Sequence, residues 1–144
     1  MATVTFSVPT SVATYLNDAT GLSAVADGGN VLGPIIDNSA NHLYGDFEVF
    51  LKGVTTSGTP FVSLYKILAI DTSSFSDGSG TVDPPAGTPL WTHGIVTGTG
   101  DKRVTMTVVM SPGTQRFLFE SRVGTAMSAA SNTIKYRLYS ETVA

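Results

Sequence analysis

A chain of 144 residues has the size of one domain, and its 13% charged residues are about half the usual share. Thr, Ser and Gly replace the missing charge, a composition that suits twisted sheets and tight turns rather than helices. The absence of Cys excludes disulfides and thiolate metal sites, and a net charge of −3 is too small and of the wrong sign for sequence-independent nucleic-acid binding.

The start, Met1-Ala-Thr-Val-Thr-Phe, lacks the basic and apolar regions of a secretory signal, and no apolar run approaches membrane-spanning length. These features predict a chain made soluble in a cytoplasm, with no membrane partner. Charge is unevenly spread: residues 1–100 set two basic side chains against eight acids, residues 101–144 six basic against three acids. Such a dipole could orient the molecule on a charged partner or on copies of itself; scattered solubilising charges are the simpler reading.

Met1 to Leu16 reads as an extended arm or a first strand, with Val4, Phe6 and Val8 alternating and Pro9 ending the run. A short helix over Val12–Val25 is the alternative for the next stretch. Val31–Ile36, interrupted by Gly33-Pro34, suits a sheet edge. Asp46–Val54 alternates cleanly, with Phe47, Val49 and Leu51 on one face and Glu48, Phe50 and Lys52 on the other, so that Phe50 is an apolar residue facing out. Phe61–Ile70 is apolar on both sides and fits a central strand. A Ser/Gly/Asp/Pro loop spans Asp71–Pro89, and Leu90–Thr97 carries the single Trp.

Arg103–Met110 puts Val104, Met106, Val108 and Met110 on one face; Gln115–Val123 directs Phe117, Phe119 and Val123 inward. The turn signal Ser111-Pro112-Gly113-Thr114 between them predicts a hairpin. In the last strand Ile134, Tyr136 and Leu138 alternate with Lys135, Arg137 and Tyr139, giving one apolar face and one wet, cationic face. Seven or eight strands without a long helix predict an all-β antiparallel β-sandwich, jelly-roll-like, as one domain over 17–144 with residues 1–16 as arm or first strand.

No constellation carries catalysis. His42 and His93 are the only histidines, no Gly-x-Ser-x-Gly elbow accompanies them, and two isolated histidines make a poor zinc site. The Asp71, Asp77 and Asp83 loop has hard oxygens but not EF-hand spacing, and Gly98-Thr-Gly100 reads as a hairpin turn rather than a phosphate cradle. Neither a cofactor nor a metal is expected, and no enzymatic activity. Trp91, Tyr44, Tyr65, Tyr136 and Tyr139 supply aromatic faces for a sugar platform; for Trp91, a core or interface filler is the plainer role.

Two stretches, Leu32–Lys52 with its Asp-Asn-Ser and Asp-Phe-Glu elements and Gly124–Glu141 with Asn-Thr-Ile-Lys-Tyr-Arg and Tyr-Ser-Glu, together with the Asp77–Asp83 loop, resemble small virion proteins of tailed bacteriophages. In size and expected sandwich the chain is similar to the head decoration (cement) proteins among them. That resemblance implies a structural role on the virion, with the major capsid protein and neighbouring copies as partners and a homo-oligomeric arrangement. Val4, Phe6, Val8, Phe50 and Trp91 are the partner-binding candidates. The alternative is a tail- or fibre-associated module that binds a carbohydrate or receptor through outward aromatics and the Asp71–Pro89 loop.

Overall fold

The computed structural model describes residues 3–68 and 89–143, so most of the Asp71–Pro89 loop, with the aspartates considered for calcium, lies outside the described residues. Eleven strands are present among those described: β1 (Val4–Phe6), β2 (Ala13–Asn17), β3 (Asn30–Leu32), β4 (Ile36–Asn38), β5 (Tyr44–Thr56), β6 (Phe61–Leu68), β7 (Trp91–Gly94), β8 (Gly98–Val109), β9 (Gly113–Arg122), β10 (Thr133–Tyr139) and β11 (Glu141–Val143). One sheet runs β2-β10-β5-β8, the other β3-β9-β6-β7 with β4 also on β9, and every pairing is antiparallel. If β3 and β4 are taken as one interrupted strand, the chain crosses between sheets at each step except β6 to β7. That is the wrapped order of a jelly roll.

The faces follow the alternation in the sequence. Phe47, Val49 and Leu51 of β5, Met106 and Val108 of β8, Phe117 and Phe119 of β9, and Ile134 and Leu138 of β10 are buried between the sheets. At the centre Tyr15, Phe47, Phe117 and Tyr136 pack edge-on or stacked at centroid distances of 5.0–6.1 Å, geometry that aromatic quadrupoles favour. Central strand β6 carries Lys66, whose Nζ reaches the Val109 carbonyl of the opposite sheet at 2.7 Å and whose burial lowers its pKa.

The expected hairpin does not form. β8 pairs with β5, and β9 pairs with β6, β3 and β4, so the turn at Ser111–Gly113 carries the chain from one sheet to the other. Strand alternation reports which face is buried, not which edge is paired, and both strands turn apolar faces to the same core. At the crossing, Met110 N–H donates to the Leu43 carbonyl at 2.9 Å. The Gln115 side chain takes both main-chain groups of Ser111, and Asn38 Nδ2 also donates to the Ser111 carbonyl.

Residues 1–16 divide. Ala13–Asn17 is the edge strand of the first sheet, and Val4–Phe6 pairs with Glu141–Val143 as a separate two-stranded ribbon. Between them, Ser7 and Thr10 bond main chain and side chain to Ser140 and Leu138, which fastens the two ends of the chain together. In place of a helix over Val12–Val25 the chain makes strand β2 and one 3-10 turn, Asp18–Thr20, closed by a capping box from Asn17.

Candidate functional site

The first sheet turns one face to the core and the other to solvent, and strand register lays out the solvent face in rows. Tyr139, Tyr44 and Val109 form the first row; Arg137, Asp46 and Thr107 the second; Lys135, Glu48 and Thr105 the third; Thr133, Phe50 and Arg103 the fourth. At about 3.4 Å per residue the four rows span on the order of 20 Å along the strands. Over the two middle rows lies a cleft of about 650 Å³ lined by Asp46, Glu48, Thr105, Thr107, Lys135 and Arg137, with Val12 and Tyr136 beside them. Its size falls within the ordinary range of small-ligand sites, roughly 300–1,000 Å³.

The polar groups of this face are held in place by one another. Asp46 accepts from Thr107 Oγ1 at 2.7 Å, from Arg137 Nε at 3.0 Å and from the Tyr139 hydroxyl at 3.3 Å, and pairs with Arg137 Nη2 at 2.9 Å. Glu48 pairs with Arg103 Nη1 at 2.5 Å, and the Arg103 guanidinium lies over the Phe50 ring, 4.7 Å from its centroid. At the other end Tyr44 and Tyr139 stack 5.4 Å apart, with Phe6 edge-on to Tyr139 at 6.1 Å. A hydrogen bond to Glu141 raises the Tyr44 pKa. Flat aromatic surface thus bounds a polar centre at both ends.

The structure brings only part of the sequence candidates to this place. Phe50 is on the face, and Phe6 reaches it through Tyr139. Val4 and Val8 remain on the exposed ribbon side, with 52% and 90% of their surface open. Trp91 belongs to the other sheet: it lies opposite Leu64, packs against the core and stacks on His93 at 5.1 Å. Of the five aromatics considered for a sugar platform, Tyr44 and Tyr139 are on the face, and Tyr136 stacks on Phe47 toward the core. Tyr65 is on the other sheet, its hydroxyl on the buried Glu120 carboxylate at 2.9 Å. His42 and His93 lie in different elements, and among the described residues no three His, Asp or Glu side chains gather as for a metal ion.

Sequence reasoning missed Asp46, Glu48, Thr105, Thr107, Lys135 and Arg137 as a group. Each strand's outward face was legible, but the register that joins β10, β5 and β8 was not.

No family model matches the chain, and no curated protein matches it. Solved structures with a similar arrangement include a CBM35 domain from Cellvibrio japonicus Abf62, at 14% identity and TM-score 0.44, covering 100% of this chain and 96% of that one. A Xyl-CBM35 in complex with a glucuronic acid containing disaccharide matches at 13% and 0.42, over 83% of this chain and 71% of that one. The enzymatically active domain of tailspike protein 4 from bacteriophage CBA120 matches at 13% and 0.38, over 98% of this chain but 19% of that one. None of these is similar enough to bear on what this chain does.

Proposed function

We propose that the chain is a non-catalytic binding module that takes a carbohydrate on the solvent face of the β2-β10-β5-β8 sheet. The observation that carries this reading is the cleft itself: charged and hydroxyl groups in register across three strands, between the Tyr44–Tyr139 stack and Phe50. A sugar chain needs donors and acceptors in one plane for its hydroxyls and flat apolar surface for its ring faces, and this face offers both. Binding rather than turnover fits because Asp46 and Glu48 are each engaged by an arginine and neither is presented to a ligand as an acid or base. If the chain is a virion protein, as the resemblance implies, a glycan-binding module of this kind belongs on a tail or fibre, where surface glycans of the host are the targets.

Calorimetry of the full chain against a panel of bacterial surface oligosaccharides tests this, alongside Asp46→Ala. Binding that disappears in Asp46→Ala, with thermal unfolding still cooperative, supports the site. A variant that binds as well as the parent, or a panel without a ligand, removes it.

Head decoration is the second reading, with the major capsid protein as partner. It is favoured by the exposed apolar side chains of the N-terminal segment, Val4, Phe6 and Val8, open by 52%, 65% and 90%, which a neighbouring subunit would cover. Copy number on the parent phage, by quantitative mass spectrometry, separates the two: hundreds of copies in simple ratio to the capsid protein mean decoration, a few to a few dozen mean tail or fibre.

A further inference from the structure

Strand β8 is a long edge left open. Its neighbour is β5, and among the described residues no strand lies on its other side. The remaining edges of the two sheets are blunted: β2 has five residues and β7 four, while β3 and β4 have three each and are parted by Gly33-Pro34. β8 has twelve, and its second half, Val104-Thr-Met-Thr-Val-Val109, contains no charge, proline or glycine. Proteins that stay single shorten, charge or break such an edge, because its main chain is a template for a further strand.

The register tells which groups are on offer. Met110 N–H donates to the carbonyl of Leu43, and the pairing runs on without a bulge from Tyr44↔Val109 to Phe50↔Arg103. In an antiparallel ladder, hydrogen-bonded and non-hydrogen-bonded pairs alternate. Val108, Met106 and Val104 therefore bond to β5, and the N–H and C=O groups of Arg103, Thr105, Thr107 and Val109 point to the open side. Lys66 Nζ on the Val109 carbonyl agrees with that direction.

We infer that the occupant of this edge is a second copy of the chain, its β8 laid antiparallel along the first about a two-fold axis at Met106. β8 supplies what its own edge lacks, a regular strand of equal length with donors and acceptors in the same alternate order. The regular stretch 103–109 matches itself end to end about Met106. Arg103 then lies opposite Val109 of the second copy and Thr105 opposite its Thr107, so two Thr–Thr pairs form and no like charges meet. Both solvent faces join in one eight-stranded sheet, with the two β5 strands about 14 Å apart, three strand spacings. The pairing does not depend on what the cleft binds. An edge of this length buries less than the roughly 1,200–2,000 Å² of a standard interface, so the dimer is reversible.

Sedimentation velocity of the full chain from micromolar to millimolar concentration tests this, with cooperative thermal unfolding as the check on folding. The expected result is a monomer–dimer equilibrium without larger species, because a two-fold pairing closes on itself. Thr105→Pro removes an edge N–H that β5 does not use and should stay monomeric. Val109→Lys sets like charges opposite Arg103 at both ends and should weaken the dimer roughly tenfold, whereas Val109→Glu should tighten it by a similar factor.

A monomer at every concentration overturns the inference, and so do assemblies larger than a dimer. A Val109→Lys dimer as tight as the Val109→Glu dimer overturns it as well, as does a folded Thr105→Pro that dimerises like the parent.

Discussion

The Tyr15 hydroxyl accepts the main-chain N–H of Phe117 at 2.8 Å, a hydrogen bond that joins the two sheets through the core. The N–H is free for it because β3 pairs with β9 only as far as Leu32↔Leu118 and β4 only from Ile36↔Gln115, so no residue of either strand pairs with Phe117. The same hydroxyl is 3.1 Å from the carbonyls of Pro34 and Phe117, one of which takes its proton. Burial raises the Tyr15 pKa, so the phenol stays neutral and able to donate. Gly33 belongs to this arrangement, since a Cβ there would land in the Tyr15 ring.

Tyr15→Phe therefore keeps the packing and leaves a buried N–H without an acceptor. The expected cost is about 1–3 kcal/mol, read from urea unfolding, with little change in the slope. Gly33→Ala should cost at least as much through overpacking, about 1–3 kcal/mol or more. If Tyr15→Phe unfolds at the parent midpoint, the hydroxyl contributes nothing.

Asn132 has a comparable task in the loop before β10. It is fully buried, its Oδ1 accepts from Lys52 N–H at 3.0 Å, and its Nδ2 faces Asp18 Oδ1, the Leu22 carbonyl and the Ser128 carbonyl at 2.8–3.1 Å. Asp18 in turn accepts from the main-chain N–H groups of Ser131 and Asn132. Asn132→Ala strands several main-chain groups at once and should cost about 3 kcal/mol or more, since each buried unpaired group costs about 1–3. Asn132→Asp, which keeps an acceptor but places a second carboxylate beside Asp18, should also destabilise, and more at neutral pH than in acid.

Asp101 gives an acid-dependent contribution. The Lys52 ammonium at 2.8 Å and the Gly53 N–H at 2.9 Å hold its pKa below the ordinary 3.8. The unfolded chain therefore takes up the proton more readily than the folded one. The stabilisation is full above pH 3.8 and is lost as pH falls through the depressed folded value. The melting-temperature gap between the parent and Asp101→Asn should be open at neutral pH and close in strong acid. It should also shrink with added salt, because the pair is exposed.

Trp91 supplies a spectroscopic check on where a ligand sits. It packs in the sheet opposite the cleft-bearing one, so saturating glycan should leave its emission unchanged. A clear Trp91 shift at saturation would move the site to the β7 edge.

Much of this was already written in the chain. Ile134, Tyr136 and Leu138 against Lys135, Arg137 and Tyr139 fixed the two faces of β10, and Phe47, Val49 and Leu51 fixed those of β5, because alternation follows from the pleat alone. Gly33-Pro34 marked an edge, and two strands do meet β9 there in succession. Phe50 was legible as outward; its Arg103 cover was not, because 53 residues separate the two in the chain.

The Ser111–Thr114 turn shows where local reading ends. Its residues allow a reversal of direction, and a reversal serves a hairpin and an inter-sheet crossing equally well. Which one forms depends on β9 being buried on both faces and flanked by β6 on one edge and β3 with β4 on the other, facts distributed over some ninety residues. The cleft has the same origin. Local alternation assigns Asp46, Glu48, Thr105, Lys135 and Arg137 each to an outer face, and only the antiparallel registers of β10 on β5 and β5 on β8 set them side by side. A period of two determines faces from neighbours in sequence; partners across strands are chosen by closing the core, and that choice belongs to the tertiary structure.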